Sequence, residues 1–228
     1  MSGDGHVIRG IVFDFDGLVI ASEMVAVRSW QDLYARFGVT LPLEMWVTLI
    51  GTWDAPWSPG VHLREIVGDD HDWDTIERDR RETELAHALA LPPMPGVLDR
   101  LDDARRLGLP LAIASSSDRA WVVGHLDRLG IADRFEAVLT RDDVARTKPD
   151  PELFIRAVEA LDLKPADTLA FEDSLHGVMA AKSAGMRCVA VPNPLLTDGD
   201  YSAADLVIDS LADMTLEALI EQLGVRTA

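Results

Sequence analysis

From Pro95 onward the chain alternates short β-rich apolar runs with stretches of helical periodicity, and this pattern limits the fold more than any other feature. Leu111-Ala112-Ile113-Ala114, Ala137-Val138-Leu139, Thr168-Leu169-Ala170-Phe171, Cys188 to Val191 and Leu206-Val207-Ile208 read as strands. Val97 to Leu107, Asp118 to Leu129, Pro151 to Leu161, Leu175 to Ala184 and Met214 to Leu223 read as helices, several closed by Gly108, Gly130, Gly185 or Gly224. The expected class is α/β, with a doubly wound, mainly parallel Rossmann-like sheet.

One more strand precedes this region. Val7, Ile8, Ile11, Val12 and Phe13 read as a short buried strand that ends on Asp14-Phe15-Asp16-Gly17. Such a strand delivers Asp14 and Asp16 at its carboxyl end, the edge of an open sheet where ligands bind, and Gly17 lets the chain turn away. From Ser22 to Leu91 the pattern changes to helical periodicity with no convincing strand: Trp30, Leu33, Tyr34 and Phe37 share one face, Leu43 to Ile50 is ended by Gly51, and Trp73 to Ala90 forms a third segment. An all-helical cap of residues 22–91 is therefore expected to interrupt a core made of residues 1–21 and 92–228, with Pro92-Pro93-Met94-Pro95-Gly96 as a stiff return linker.

Composition bounds what the two carboxylates can belong to. The chain has 228 residues, 48% hydrophobic and 26% charged, enough apolar material for a globular core. Its formal net charge of -18 argues against sequence-independent nucleic-acid binding and against an anionic membrane surface, which need clustered Lys and Arg. An anionic small molecule stays possible, because a metal and a few cations can reverse the potential of one cleft. The single cysteine, Cys188, lies in an apolar run and reads as an interior strand residue. Met1 to Gly10 lacks a leader pattern and no later stretch is long enough to span a bilayer, so a cytoplasmic protein is expected, monomeric or weakly dimeric.

If the strands are parallel, Asp14, Ser115, the loop holding Lys148 and the pair Glu172-Asp173 emerge at one edge. Each alone has a plainer reading as a turn, helix cap or solvated charge. Together, Asp14-Phe15-Asp16-Gly17, Ser115, Lys148-Pro149 and Glu172-Asp173-Ser174 resemble the haloacid dehalogenase-like superfamily, in the family's order and over essentially the entire chain. The helical cap after the first strand looks most like the beta-phosphoglucomutase and sugar-phosphate phosphatase branch.

The resemblance implies a phosphohydrolase with four catalytic residues. Asp14 is the nucleophile that forms an aspartyl-phosphate, and Asp16 protonates the leaving oxygen and then deprotonates water. Ser115 and Lys148 bind the transferring oxygens. Mg2+ is expected on Asp14, the backbone carbonyl of Asp16 and Asp173, with Glu172 joining directly or through water. Ser116, Trp53 and Trp57 are expected to touch the substrate, a small phosphorylated metabolite. Trp30 and Trp73 are assigned to the cap's own core, and His62, His71 and His87 to solvent.

Departures from the family pattern narrow the activity. Ala21 stands where many relatives carry Asp, which bears on loop hydrogen bonding and not on the chemistry. Met24-Val25-Ala26 and Gly51-Thr52-Trp53-Asp54 lack the cap histidine and arginine of beta-phosphoglucomutase, so a phosphatase is preferred to a mutase. No lysine occurs from Ser22 to Leu91, against a phosphonatase, and the presence of Asp16 argues against dehalogenation. A catalytically silent interaction protein on the same fold is the alternative of another class, and the intact acids and Lys148 oppose it.

Overall fold

The computed structural model describes residues 7–196 and 198–227; part of the stretch read for a leader, residues 1–6, lies outside them. The strands are β1 (Val7–Ile8), β2 (Gly10–Phe13), β3 (Leu111–Ala114), β4 (Ala137–Leu139), β5 (Thr168–Glu172), β6 (Arg187–Ala190), β7 (Leu206–Val207) and β8 (Arg226–Thr227). Six of them make one all-parallel sheet in the order β4-β3-β2-β5-β6-β7. The central strands β2, β3 and β5 are buried along their whole length, as continuous apolar runs with helices on both faces require. Cys188 is buried in β6, and burial pushes its thiol well above the ordinary range, so the interior reading holds.

The helices α5 (Val97–Leu107), α6 (Arg119–Leu129), α7 (Glu152–Ala160), α8 (Leu175–Ser183) and α9 (Leu216–Gln222) fall where the periodicity puts them. Side-chain caps start three of these: Asp118 accepts from Trp121, Ser174 from Gly177 and Thr215 from Ala218. Between Phe13 and Leu111 the described residues contain helices and no strand: α1 (Ser22–Arg36), α2 (Leu43–Trp46), α3 (Pro59–Val67) and α4 (Trp73–Ala88). Tyr34, Leu63, Trp46 and Trp73 are buried among them, and one apolar cluster continues from this insertion to Val12, Ala112 and Ala170 of the sheet.

Three readings change. The run read as one first strand is two strands, because β1 pairs in parallel with β8 while β2 enters the main sheet. The break is at Arg9, whose N–H turns to the Asp167 carbonyl at 2.8 Å. Apolar composition is the same on both sides of it, so alternation alone does not reveal the change of partner. Second, α3 follows a loop that reads only as turn-rich; Ser58 caps it by accepting from Val61, and Pro59 occupies its first turn. Third, Leu43 to Ile50 is one α turn followed by a tighter 3-10 turn over Val47–Leu49, after which Gly51 takes a φ of +82°.

Candidate active site

Strands β2 and β5 are neighbours at the point where the strand order reverses, and their register pairs Phe13 with Phe171. The next residues, Asp14 and Glu172, therefore leave adjacent strand ends at the crevice that such a reversal opens. Asp14 donates its N–H to the Phe171 carbonyl at 3.0 Å, which fixes its backbone there. Ser115 follows β3 and is tied by its N–H to Leu139 at 2.9 Å. Lys148 comes from the loop before α7. Asp14, Ser115, Lys148, Glu172 and Asp173 are all buried.

Lys148 sits between two acids. Its Nζ donates to Asp14 Oδ1 and, at 2.5 Å, to Glu172 Oε1, and it lies 4.9 Å from the centre of the Phe154 ring. Burial by itself lowers the ammonium's affinity for its proton, but Asp14 and Glu172 outweigh that and hold its pKa above the usual lysine range. Glu172 spends Oε2 on the N–H of Asp173, the N–H of Ser174 and the Ser174 hydroxyl. Gly177 is required opposite it, since a Cβ there would stand 1.9 Å from the carboxylate.

Three buried carboxyls cluster here, and two of them pair with this one ammonium. Asp14 is pushed up to about 8 by burial first and by the Glu172 charge next, with Lys148 pulling the other way. Asp173 is raised well above the carboxylate range by burial and then by Asp14 and Glu172, against a hydrogen bond from Asn193. One oxygen from each of Asp14, Glu172 and Asp173 lies within 4.8 Å of the others, and Asp173 Oδ1 is buried with no hydrogen-bond partner. An excess of buried carboxylate oxygen with one oxygen left over is a donor set that suits a hard divalent cation such as Mg2+. Asp173 is steadied from behind by Asn193 Nδ2 on Oδ2 at 2.7 Å and by the Tyr201 hydroxyl on its carbonyl at 2.6 Å. Neither Asn193 nor Tyr201 carries a sequence signal beyond its position after β6.

Asp16 has a different environment. Its Oδ1 accepts from the Ser22 hydroxyl at 2.6 Å and from Trp121 Nε1 at 2.9 Å; its Oδ2 accepts from Ser117 at 2.6 Å and from Ser115 at 3.4 Å. Ser22 thus turns to Asp16, and Ala21 at the N-cap leaves α1 with no side-chain cap. Gly17 closes the loop at φ +84°, where a Cβ would stand 1.9 Å from Asp173 Oδ2.

A cavity of about 910 Å³ opens over these groups, lined by Asp14, Asp16 and Ser115 below and by Trp30, Trp53 and Trp57 of the insertion above. Trp53 is 63% exposed, and the Arg141 guanidinium lies 3.8 Å from the centre of its ring. Trp57 is half-buried. Ser116 donates to the Gly51 carbonyl at 3.0 Å, so its proton serves the insertion's loop while the residue lines the cavity. That loop is held to the sheet side at further points: His176 Nδ1 to the Ile50 carbonyl at 2.9 Å, Trp53 N–H to Thr147 at 3.3 Å, and Thr147 N–H and hydroxyl to Asp54 at 3.1 and 2.8 Å.

Several assignments shift with the geometry. Trp73 is buried as expected, but Trp30 is only partly buried; its ring faces the cavity with Arg80 stacked 4.1 Å from its centre. His62 is not a solvent residue: it stacks on Tyr34 and shares a 2.9 Å hydrogen bond with that hydroxyl. Glu23, unread in the sequence, lines the cavity from the first turn of α1, and burial, then Asp16 and Asp14, push it up to about 8. Trp121 is likewise unread, because in α6 it looks like one more apolar helix position.

The fold and the converging acids define a hydrolase built on a doubly wound sheet with a helical insertion. The chain belongs to the haloacid dehalogenase-like hydrolase family, whose sequence model matches residues 11–191. It is 39% identical to a Bacillus subtilis (strain 168) protein named "Putative phosphatase YhcW", over 96% of this chain and 99% of that one. It is 31% identical to the validoxylamine A 7'-phosphate phosphatase of Streptomyces hygroscopicus subsp. limoneus, over 89% and 94%. The crystal structure of CbbY from Rhodobacter sphaeroides in complex with phosphate superposes with a TM-score of 0.69 at 26% identity, covering 91% of this chain and 96% of that chain. Family and relatives together identify a phosphohydrolase.

Proposed function

We propose that the chain is a magnesium-dependent phosphatase of small phosphomonoesters, sugar phosphates or similar metabolites, working in the cytoplasm through an aspartyl-phosphate on Asp14. The observation that carries the reading is the placement of Asp14, with Lys148 on one side, the Glu172 and Asp173 carboxyls behind it and Asp16 across the same cavity. Residues 22–91 act as the cap and residues 1–21 with 92–228 as the core.

Asp14 Oδ attacks phosphorus, the new O–P bond forms as the ester P–O bond breaks, and the leaving oxygen takes its proton from Asp16. Asp16, now a carboxylate, takes a proton from water, whose oxygen attacks the aspartyl-phosphate and returns Asp14. Lys148 and the Ser115 hydroxyl donate to the phosphoryl oxygens as charge spreads over them. Mg2+ would be held by Asp14, Asp173 and the Asp16 carbonyl; when bound it neutralises the carboxylates toward an anionic substrate and polarises the phosphoryl group. Glu172, with both oxygens engaged, serves by holding Lys148 and the start of α8.

Hydrolysis is favoured over phosphosugar transfer because each of the cavity's described arginines already has an acidic partner. Arg80 is paired with Glu84, Arg81 with Glu77 and Arg141 with Asp118, which leaves among the described lining residues no unpaired cation for a second phosphate. The test is phosphate release from a panel of sugar monophosphates with Mg2+. Activity is expected to vanish in excess chelator and to return with Mg2+, and Asp14→Asn is expected to fall to background. Full turnover in chelator, a phosphoenzyme formed by Asp14→Asn, or isomerised sugar phosphate outpacing free phosphate would overturn the reading.

A further inference from the structure

Asp16 is held by four donors, three of which are serine hydroxyls. A hydroxyl can rotate and accept as readily as it donates, so it tolerates a proton on either carboxyl oxygen. An indole N–H can only donate. Trp121 Nε1, 2.9 Å from Asp16 Oδ1, is thus the one partner of fixed sense.

We infer that Trp121 is a positioning residue for proton delivery to the leaving group: its N–H keeps Asp16 Oδ1 as an acceptor, which leaves Oδ2 as the oxygen that carries the transferable proton and restrains rotation of the carboxyl. This rests on the phosphatase reading above. The ring is braced to do so. Asp118 Oδ1 accepts the Trp121 backbone N–H at 2.8 Å, and Arg141 holds Asp118 Oδ2 at 3.1 Å. Behind the indole lies the buried His125 ring, edge-on with centroids 4.4 Å apart. His125 Nδ1 must accept, because Arg128 approaches it with Nη2 at 3.1 Å and Nε at 3.4 Å and has only donors to offer. Arg128 Nη2 is itself anchored on the Leu91 carbonyl at 2.9 Å. A purely space-filling tryptophan would need neither this chain of supports nor its N–H aimed at the acid.

The consequence is a dependence on the leaving group. Transfer of phosphoryl to Asp14 pushes an electron pair onto the ester oxygen; a sugar alkoxide needs the Asp16 proton at that moment, whereas 4-nitrophenolate leaves without one. The experiment compares kcat/KM, which reports steps up to the first phosphoryl transfer, for wild type, Trp121→Phe and Asp16→Asn on a sugar phosphate and on 4-nitrophenyl phosphate. Trp121→Phe is expected to lose about tenfold on the sugar phosphate, the upper end for one net hydrogen bond, and less than about twofold on the aryl ester. The retained aryl activity shows that the variant is folded and its nucleophile intact. Asp16→Asn should show the same selectivity with a larger loss. Equal losses on the two substrates, or none, with Asp16→Asn still selective, would overturn the role of Trp121 alone. An Asp16→Asn variant that loses equally on both would overturn Asp16 as the acid and this inference with it, while a wild type that releases no phosphate from either ester would overturn the phosphatase reading itself.

Discussion

Lys148→Met keeps an unbranched stem in place and removes only the ammonium. With Lys148 1% exposed and Glu172 fully buried, water does not replace the lost partner. Asp14 lines the open cavity, where water can reach it, so the charge left unanswered in the interior is that of Glu172. Either it stays ionised in the interior or it takes up a proton, and the cheaper route sets the cost. Protonating an ordinary glutamate, with a pKa near 4.3, costs about 4 kcal/mol at pH 7 and about 1 kcal/mol at pH 5. The pH 7 figure agrees with the roughly 3–5 kcal/mol expected when one partner of a buried pair is removed. The sign follows from proton counts. The folded variant binds a proton that the unfolded chain does not, so its stability grows as pH falls from 7 toward 4.3. Lys148 in the wild type has its pKa raised and stays charged over this window, so the wild-type pair contributes no such slope. Urea unfolding in chelator at pH 5, 6 and 7 is expected to show a deficit against wild type that shrinks by about 3 kcal/mol toward pH 5. A deficit of equal size at all three pH values would mean that Lys148 matters for packing and would refute the charge argument. Turnover should fall at least about a hundredfold, as for loss of one donor to a developing charge.

Two other substitutions probe the cap and the metal-facing loop. Trp53→Ala should raise KM for the preferred sugar phosphate more than for 4-nitrophenyl phosphate, with little change in melting temperature because the ring is mostly exposed; matched changes in both KM values would remove Trp53 from substrate contact. Gly17→Ala should lose about 1–2 kcal/mol of stability from the left-handed backbone and, because its Cβ displaces Asp173 Oδ2, weaken Mg2+ activation so that far higher Mg2+ is needed for half-maximal rate; an unchanged Mg2+ titration would count against Asp173 as a metal donor.

The strands, helices and converging acids were legible because each has a local signal: apolar runs for β2, β3 and β5, and acidic or hydroxyl residues at their carboxyl ends. What stayed hidden depends on partners distant in sequence. Arg226–Thr227 has no apolar pattern and is a strand only because Val7–Ile8 lies beside it. The start of α3 did have a signal, Ser58-Pro59, but the neighbouring Pro56 and Trp57 make the segment look like turn alone. Trp121 and Glu23 were masked by a different ambiguity. A tryptophan within an apolar helix pattern and a glutamate in a helix's first turn are ordinary in both roles, and only the fold shows that each meets the cavity. Helical spacing places Trp30 inward, but inward here includes the wall of the cavity.

The loop from Ile50 to Asp54 has a consequence for timing. Five hydrogen bonds, from His176, Ser116 and Thr147, and the Arg141–Trp53 stack close it over the site. At about 0.5–1 kcal/mol net for each, the five bonds favour the closed loop by about 2.5–5 kcal/mol, so a state with all of them broken would be populated at about one part in seventy to one in several thousand. Were substrate to enter through this loop, solvent viscosity and not chemistry would limit turnover. Thr147, which carries three of the five bonds, is the residue next to Lys148. The loop and the backbone beside Lys148 thus share one anchor, so a change at Thr147 is felt on both sides of the cavity.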